Sequence, residues 1–415
     1  MILAFIFQTQ KMKFFEKIYK YVPALLLCYF IPSIFNSMGI VSGAQSKLYF
    51  VVTRYLLPTA LVLLTLSIDL RKVVQLGPKA IIMFLTGTAG IVIGGPFAVI
   101  IFSYLSPDTI GVEGPDAVWR GLATVAGSWI GGGANQTAMK EIFEVPGSLF
   151  SAVLAVDILV ASVWMGIILY GAGISARVDR WFQADSSSIE DLKVKVETFQ
   201  KKVARIPNLS DLMIIVGFGF GATAISHMVA DIVAPFLGKH ADIFVPYFGE
   251  YGEFVNLKRL SLTNKFFWLI VCATTFGLML SFTKARNFEG AGASKVGSVF
   301  IYVLVATIGM EMDVMAVFRT PGVFAVGAIW ISFHAVLLIA VGKLIRAPFF
   351  FLAVGSQANI GGAASAPVVA SAFHPALAPV GVLLAVLGYA LGTYCAYLCG
   401  ILMQWATPVA TLAGG

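Results

Sequence analysis

Long apolar runs with few charges govern what this chain can fold into. Such runs occur at 22–41, 49–68, 80–105, 119–143 and 148–172, and again at 211–236, 264–283, 297–317, 322–342, 348–372 and 376–405. The hydrocarbon core of a bilayer is about 30 Å thick, and a helix of about 20 apolar residues crosses it. None of these runs shows the strict alternation of lipid-facing barrel strands. With no water at that depth the backbone must satisfy its own hydrogen bonds, and a helix does so within one segment. Composition agrees: 59% of the residues are hydrophobic and 12% are charged, against about 25% charged in soluble chains. The expected fold is an all-α polytopic membrane protein whose main partner is the lipid bilayer.

The formal net charge of +7 does not point to nucleic acid. The basic residues gather in short loops between apolar runs, where the positive-inside rule places them. Cys28, Cys272, Cys395 and Cys399 all fall inside apolar runs. Their spacing fits neither a metal site nor a disulfide framework, so they are read as small buried side chains. The first ten residues are apolar but are followed by Lys11, Lys13, Lys17 and Lys20, the reverse of the order in a cleavable signal. Residues 1–10 are also too short to span: either the natural chain begins further upstream or its first helix is partial.

The two halves carry the same features in the same order, the mark of an internal repeat. Ser67-Ile-Asp69-Leu, then Gly77-Pro78, then an apolar run, then Gly127–Ala138 (GSWIGGGANQTA) make up the first series. Gly309-Met-Glu311-Met, then Thr320-Pro321-Gly, then an apolar run, then Gly355–Pro367 (GSQANIGGAASAP) make up the second. This divides the chain into a first repeat at 1–172, a cytoplasmic linker at 173–210 with an amphipathic surface helix, and a second repeat at 211–415. The basic clusters at Lys11–Lys20, Arg71/Lys72/Lys79 and in the linker share one side only if 119–143 enters and leaves the membrane on one face. The count then inverts one half relative to the other. Each half is expected to hold about five transmembrane helices plus a Gly-rich re-entrant hairpin, a pattern of secondary transporters.

Candidate site residues follow from this arrangement. Ser128, Asn135, Gln136 and Thr137 in one hairpin, and Ser356, Gln357, Asn359 and Ser365 in the other, are polar side chains in apolar runs. Buried polar groups are costly unless paired, so these are expected to bind substrate. Backbone carbonyls freed at Gly131, Gly132, Gly133, Gly361 and Gly362, together with Asp157, are expected to couple an ion. Asp157 stands in 148–172 with no basic residue in its run, and an intramembrane carboxylate is a functional candidate by default. The ion is Na⁺ or H⁺; no metal beyond a Na⁺ and no cofactor is expected. Asp69, Glu311 and Asp313 read as interfacial charges, His334 as a satisfied core residue, Arg54 as a snorkelling side chain and Pro58 as a helix kink. No H-E-x-x-H, G-x-S-x-G or P-loop is present, so the chain is not read as an enzyme. The expected function is cation-coupled transport of a small organic anion or an amino-acid- or peptide-like solute. A channel or holin-like export pore is the alternative.

Three places carry a resemblance: Gly127–Glu141 (GSWIGGGANQTAMKE), Asp157, and Val305–Asp313 (VATIGMEMD) with the preceding Glu289-Gly290-Ala291-Gly292. There the chain resembles the YjcL-like family of uncharacterised membrane proteins, a domain of unknown function. Its paired Gly-rich segments are more distantly similar to the sodium/glutamate and sodium/citrate symporters. That likeness implies an elevator mechanism, sodium symport, a homodimer and a place in the bacterial cytoplasmic (inner) membrane. The Gly-Gly-His-Gly tip of the glutamate carriers is absent; Asn135 follows Gly-Gly-Gly-Ala instead.

Overall fold

The computed structural model describes residues 1–15, 19, 24–41, 46–184, 189, 206–244, 257–258, 260–310 and 321–408. Among these the chain is helical and holds no strand. The principal elements are α1 (Ile2–Thr9), α2 (Ala24–Ser37), α3 (Leu48–Leu66), α4 (Pro78–Leu105), α5 (Val118–Ile142), α6 (Gly147–Gly173) and α7 (Ser175–Phe182). They continue with α8 (Leu209–Phe244), α9 (Lys265–Ser281), α10 (Ala293–Gly309), α11 (Pro321–Leu344), α12 (Phe349–Ile360), α13 (Gly362–Phe373) and α14 (Ala378–Ala406). Among the described residues six helices are long and apolar enough to cross a membrane, or seven if the bent pair Lys265–Ser281 and Lys284–Ala291 is one span. The expected linker helix near 185–205, Glu311 and Asp313 lie outside the described residues.

The helices gather into two bundles. One packs α2, α3, α8, α9 and α10 together, with α1 on α2. The other packs α4, α5, α6, α11, α12, α13 and α14. They meet where α5 and α14 touch α3, α9 and α10. Within each bundle, elements with the same place in the two halves run antiparallel. Along α4 and α11, Lys79 bonds the Arg346 carbonyl, Gly87 lies against His334, and Gly94 against Trp330. Along α3 and α10, Gly297 lies against Ala60 and Leu63, while Ser67 bonds Glu289 just before α10 begins.

Two segments fold back on themselves. Gly132 breaks α5 at φ 72°, a region open to glycine but strained for side chains. An unbroken helix would hold residues 120 and 143 about 35 Å apart. Instead Arg120 Nη1 donates to the Phe143 carbonyl at 2.7 Å, and the Trp119 and Phe143 rings meet edge to face at 5.3 Å. The pair α12/α13 turns in the same way at Gly361–Gly362, with Gly362 at φ 56°. The Phe350 and Phe373 rings, at its two ends, stand 5.3 Å apart. Asp179 of α7 accepts the Phe349 N–H at 2.7 Å and so caps α12 from outside, as an N-terminal donor requires.

Pro58 and Arg54 are both tied into the packing of α3. Pro58 has no N–H, so the carbonyl four residues back, that of Arg54, loses its helical partner. α3 widens there into a π turn over Val52–Leu56, and His227 of α8 bonds the freed carbonyl at 2.9 Å. Arg54 has a specific partner: its Nη1 reaches Glu141 Oε2 on α5 at 3.0 Å, and its guanidinium lies over the Phe266 ring.

Candidate functional site

The tips of the two folded-back segments come together on α14. Gly388 is flanked by backbone from both: a Cβ there would stand 2.6 Å from the Ile130 carbonyl and 3.5 Å from that of Ala358. The next residue, Tyr389, packs its ring against Gly132, 3.7 Å from where a Cβ would be, and its hydroxyl lies near the backbone of Ala363. One dipeptide of α14 thus touches both turns. Glycine at 388 is what lets α14 approach two carbonyl-bearing backbones at once. Tyr29 of α2, in the other bundle, reaches the first tip and donates to Gln136 Oε1 at 3.4 Å.

Asp157 sits beside the first tip, with 5% of its surface exposed. Trp129 Nε1 donates to one carboxylate oxygen at 2.6 Å and Gln136 Nε2 to the other at 2.8 Å. Ser128 lies beside the same carboxylate. Both donors are neutral. The helix bearing Asp157 also runs past α12: Gly171 lies on Phe349, and Trp164 Nε1 donates to Ser356 at 2.8 Å. The same seven-residue step carries Asp157 level with the second tip.

The remaining polar residues of the two segments are tied into protein. Asn135 donates to the Gly131 and Tyr389 carbonyls at 3.1 and 3.0 Å and accepts from Thr393 of α14 at 2.6 Å. Asn359 repeats the pattern, donating to the Gly355 and Phe84 carbonyls at 2.9 Å each and accepting from Thr88 of α4 at 2.8 Å. The sequence reading gave these amides to a solute; here one N–H of each bonds a carbonyl of its own hairpin, while the other N–H and the oxygen hold that hairpin to a neighbouring helix. Thr137 bonds the Gly133 carbonyl at 2.9 Å within its own helix. Ser356 joins Trp164 to His334 Nε2 at 2.8 Å, and His334 Nδ1 lies 3.0 Å from the Gly87 carbonyl, so the histidine is a satisfied core residue. Gln357 donates to Ser365 at 2.8 Å, while its buried Oε1 has no partner. Of the substrate candidates, Ser128 and Gln136 meet at Asp157 and Gln357 and Ser365 meet at the second tip, whereas Ser356 is taken up by Trp164 and His334.

Sequence reasoning missed Trp129, Tyr29, Gly388, Tyr389, Thr88 and Thr393. The Gly388/Gly392 spacing followed by Thr393 was a small-residue signal for close helix approach. No local pattern marks the two Thr–Asn pairs, which join residues 271 and 258 positions apart. A charged cluster in the last turn of α5 was missed as well. Tyr49 bonds both Lys140 and Glu141, and the Lys140 ammonium lies 4.5 Å from the centroid of the Tyr49 ring. With Arg54 these form a polar contact between the bundles.

Residues 1–405 match the family described as "Protein of unknown function (DUF819)". The chain belongs to this family. It is also 25% identical over 375 residues to "Uncharacterized membrane protein YjcL" of Bacillus subtilis (strain 168), a match covering 87% of this chain and 85% of that protein. The resemblance carried by Gly127–Glu141 and Asp157 is thereby borne out. In this DUF819 chain those residues build the first tip and the carboxylate beside it.

Proposed function

We propose that the chain is a cation-coupled secondary transporter of a small organic anion or amino-acid-like solute, moved by an elevator mechanism in the bacterial cytoplasmic membrane. The observation that carries the reading is the meeting of two folded-back segments at Gly388–Tyr389, beside an Asp157 bonded by neutral donors. Each hairpin arm, about 12 residues long, reaches about 18 Å at helical rise. That is half or slightly more of a hydrocarbon core about 30 Å thick. A tip at mid-bilayer is where transporters with inverted repeats bind substrate. The antiparallel runs of α4 against α11 and of α3 against α10 support inverted repeats at 1–172 and 211–415 joined by the linker at 173–210. In that arrangement the segments 119–143 and 348–372 are re-entrant from opposite faces.

Both hairpins belong to one bundle, and this suits an elevator, in which one bundle carries the site past the other. Asp157 is the coupling group, completed by carbonyls around Gly131–Gly133 and Gly361–Gly362 and by Gln357 Oε1. A carboxylate without a cationic partner is costly at this depth; Na⁺ or a proton relieves that cost, and solute binding between the tips then favours the loaded state. The purified protein, screened against metabolites by thermal shift, is expected to gain stability from the cognate solute in Na⁺ or at low pH. Ligand at 100 times its Kd stabilises by about 2.7 kcal/mol. Equal shifts in Na⁺, K⁺ and choline at every pH would remove the coupling. A pore, the alternative, passes solute without saturation.

A further inference from the structure

We infer that α7, with the adjoining ends of α4 and α11, forms a seat for the headgroup of an anionic phospholipid, and that the bound lipid steadies the start of the second hairpin. The inference stands apart from the transporter reading and does not rest on it.

The surface is built from three helix ends. α7 follows the apolar helix α6 after a single residue, Ile174. In its sequence, SARVDRWF, Arg177, Arg180 and Trp181 stand three and four residues apart and so share one face; all three are exposed. Phe182 points the other way and is buried, its ring 3.0 Å from where a Cβ on Gly342 of α11 would stand. This contact seats α7 on the end of α11. Lys343, in the last turn of α11, lays its ammonium 4.7 Å from the centroid of the Trp181 ring. Arg346 follows, and its carbonyl accepts from Lys79 in the first turn of α4 at 2.9 Å.

Charge and exposure give the class of partner. The side chains of Arg177, Arg180, Lys343 and Arg346 are exposed, and among the described residues none of the four has a hydrogen-bonding or ion-pair partner. The one carboxylate of α7, Asp179, is turned to the protein, where it accepts the Phe349 N–H at 2.7 Å. The ends of α4, α11 and α12 that meet here carry no acid. Arginine forks match phosphate oxygens. Exposed apolar side chains lie among the cations: Trp181 is 54% exposed, Leu344 81% and Ile174 38%. That mixture fits a lipid interface, with the indole at headgroup level and the aliphatic side chains against acyl chains. So basic an end of a bundle is the cytoplasmic one, and basic clusters on an amphipathic helix at that face recognise anionic headgroups.

Asp179 links this surface to the hairpin. The first N–H groups of a helix have no partner within it, and Asp179 supplies one to α12. A lipid that binds only the ordered α7 stabilises it by mass action, and the cap on α12 is kept with it.

The test places the full chain in nanodiscs of phosphatidylcholine alone and of equal parts phosphatidylcholine and phosphatidylglycerol. Native mass spectrometry reads the retained lipid, and amide hydrogen exchange reads residues 349–352. Wild type is expected to retain phosphatidylglycerol in preference to phosphatidylcholine. The preference is expected to fall about fivefold for each of Arg177→Gln and Arg180→Gln, the factor that about 1 kcal/mol per basic residue supplies. Phosphatidylglycerol is expected to slow exchange at 349–352 in wild type and not in the double variant. Asp179→Ala is expected to keep the lipid preference and lose the slowing. Equal retention of the two lipids by wild type, or an undiminished preference in the double variant, overturns the seat. Exchange at 349–352 that is the same in both lipids overturns the link to the hairpin. Hexaglutamate added to the phosphatidylcholine sample is expected to leave exchange unchanged; a slowing equal to that from phosphatidylglycerol assigns the face to an acidic protein segment and overturns the lipid.

Discussion

Asp157 receives hydrogen bonds from Trp129 and Gln136. An amide in its place offers one oxygen and one NH₂, so one of these donors then faces another donor. Asp157→Asn is therefore expected to fold and to lose about 1–3 kcal/mol, the cost of an unsatisfied buried group. Chemical denaturation in detergent measures this; an unchanged midpoint would mean that the two donors do not bond the carboxylate. The Asn–Thr pairs behave as locks. Asn135→Ala and Thr393→Val are each expected to cost about 1–3 kcal/mol, and the double variant less than the sum, because both remove one bond. Strict additivity would separate the two residues. That Asp157 mattered was legible from its solitude in an apolar run. That the asparagines serve the fold was not, because their partners lie more than two hundred residues away and no local period reports such a contact.

At the scale of elements, the two turns were legible from glycine runs in which the backbone is free to leave the helix. Which arm carries the lock was not: Asn135 follows its turn at Gly132, whereas Asn359 precedes its turn at Gly362. The order of motifs therefore matched while the bonding positions did not. Nor did any residue near the tips foretell that α14 would thread between them; that depends on Gly388, whose Cβ position is 2.6 Å from the Ile130 carbonyl. Gly388→Ala is expected to destabilise by about 1–3 kcal/mol, as overpacking does, and to shift the hairpin; wild-type stability would place α14 elsewhere. The hairpin itself is tested by single cysteines at Asp116 and Pro146, in a background without the four native cysteines. Labelling from the same side of the membrane is expected, and labelling from opposite sides would replace the hairpin with a crossing helix.

For the whole molecule, the places and order of the apolar helices were readable from hydropathy, since each run reports its own solvent. The number of spans was not: about ten were expected, and six or seven of the described helices are long and apolar enough to cross. The sorting of those helices into two bundles was not, because it is decided by which apolar faces pack together. Thr274 of α9 and Thr393 of α14 stand 3.0 Å apart by their hydroxyls across the bundle boundary. Cysteines at these two positions are within reach of a disulfide, and oxidation is expected to arrest transport until the bond is reduced; full transport in the oxidised protein would argue against bundle movement. The central claim, transport driven by a cation through Asp157, is tested most directly by uptake into proteoliposomes under an imposed Na⁺ or H⁺ gradient, using the solute found by thermal shift. The account predicts that wild type concentrates the solute when the gradient is present and that Asp157→Asn exchanges it without concentrating it. Equal accumulation by the two proteins under the same gradient would contradict the account.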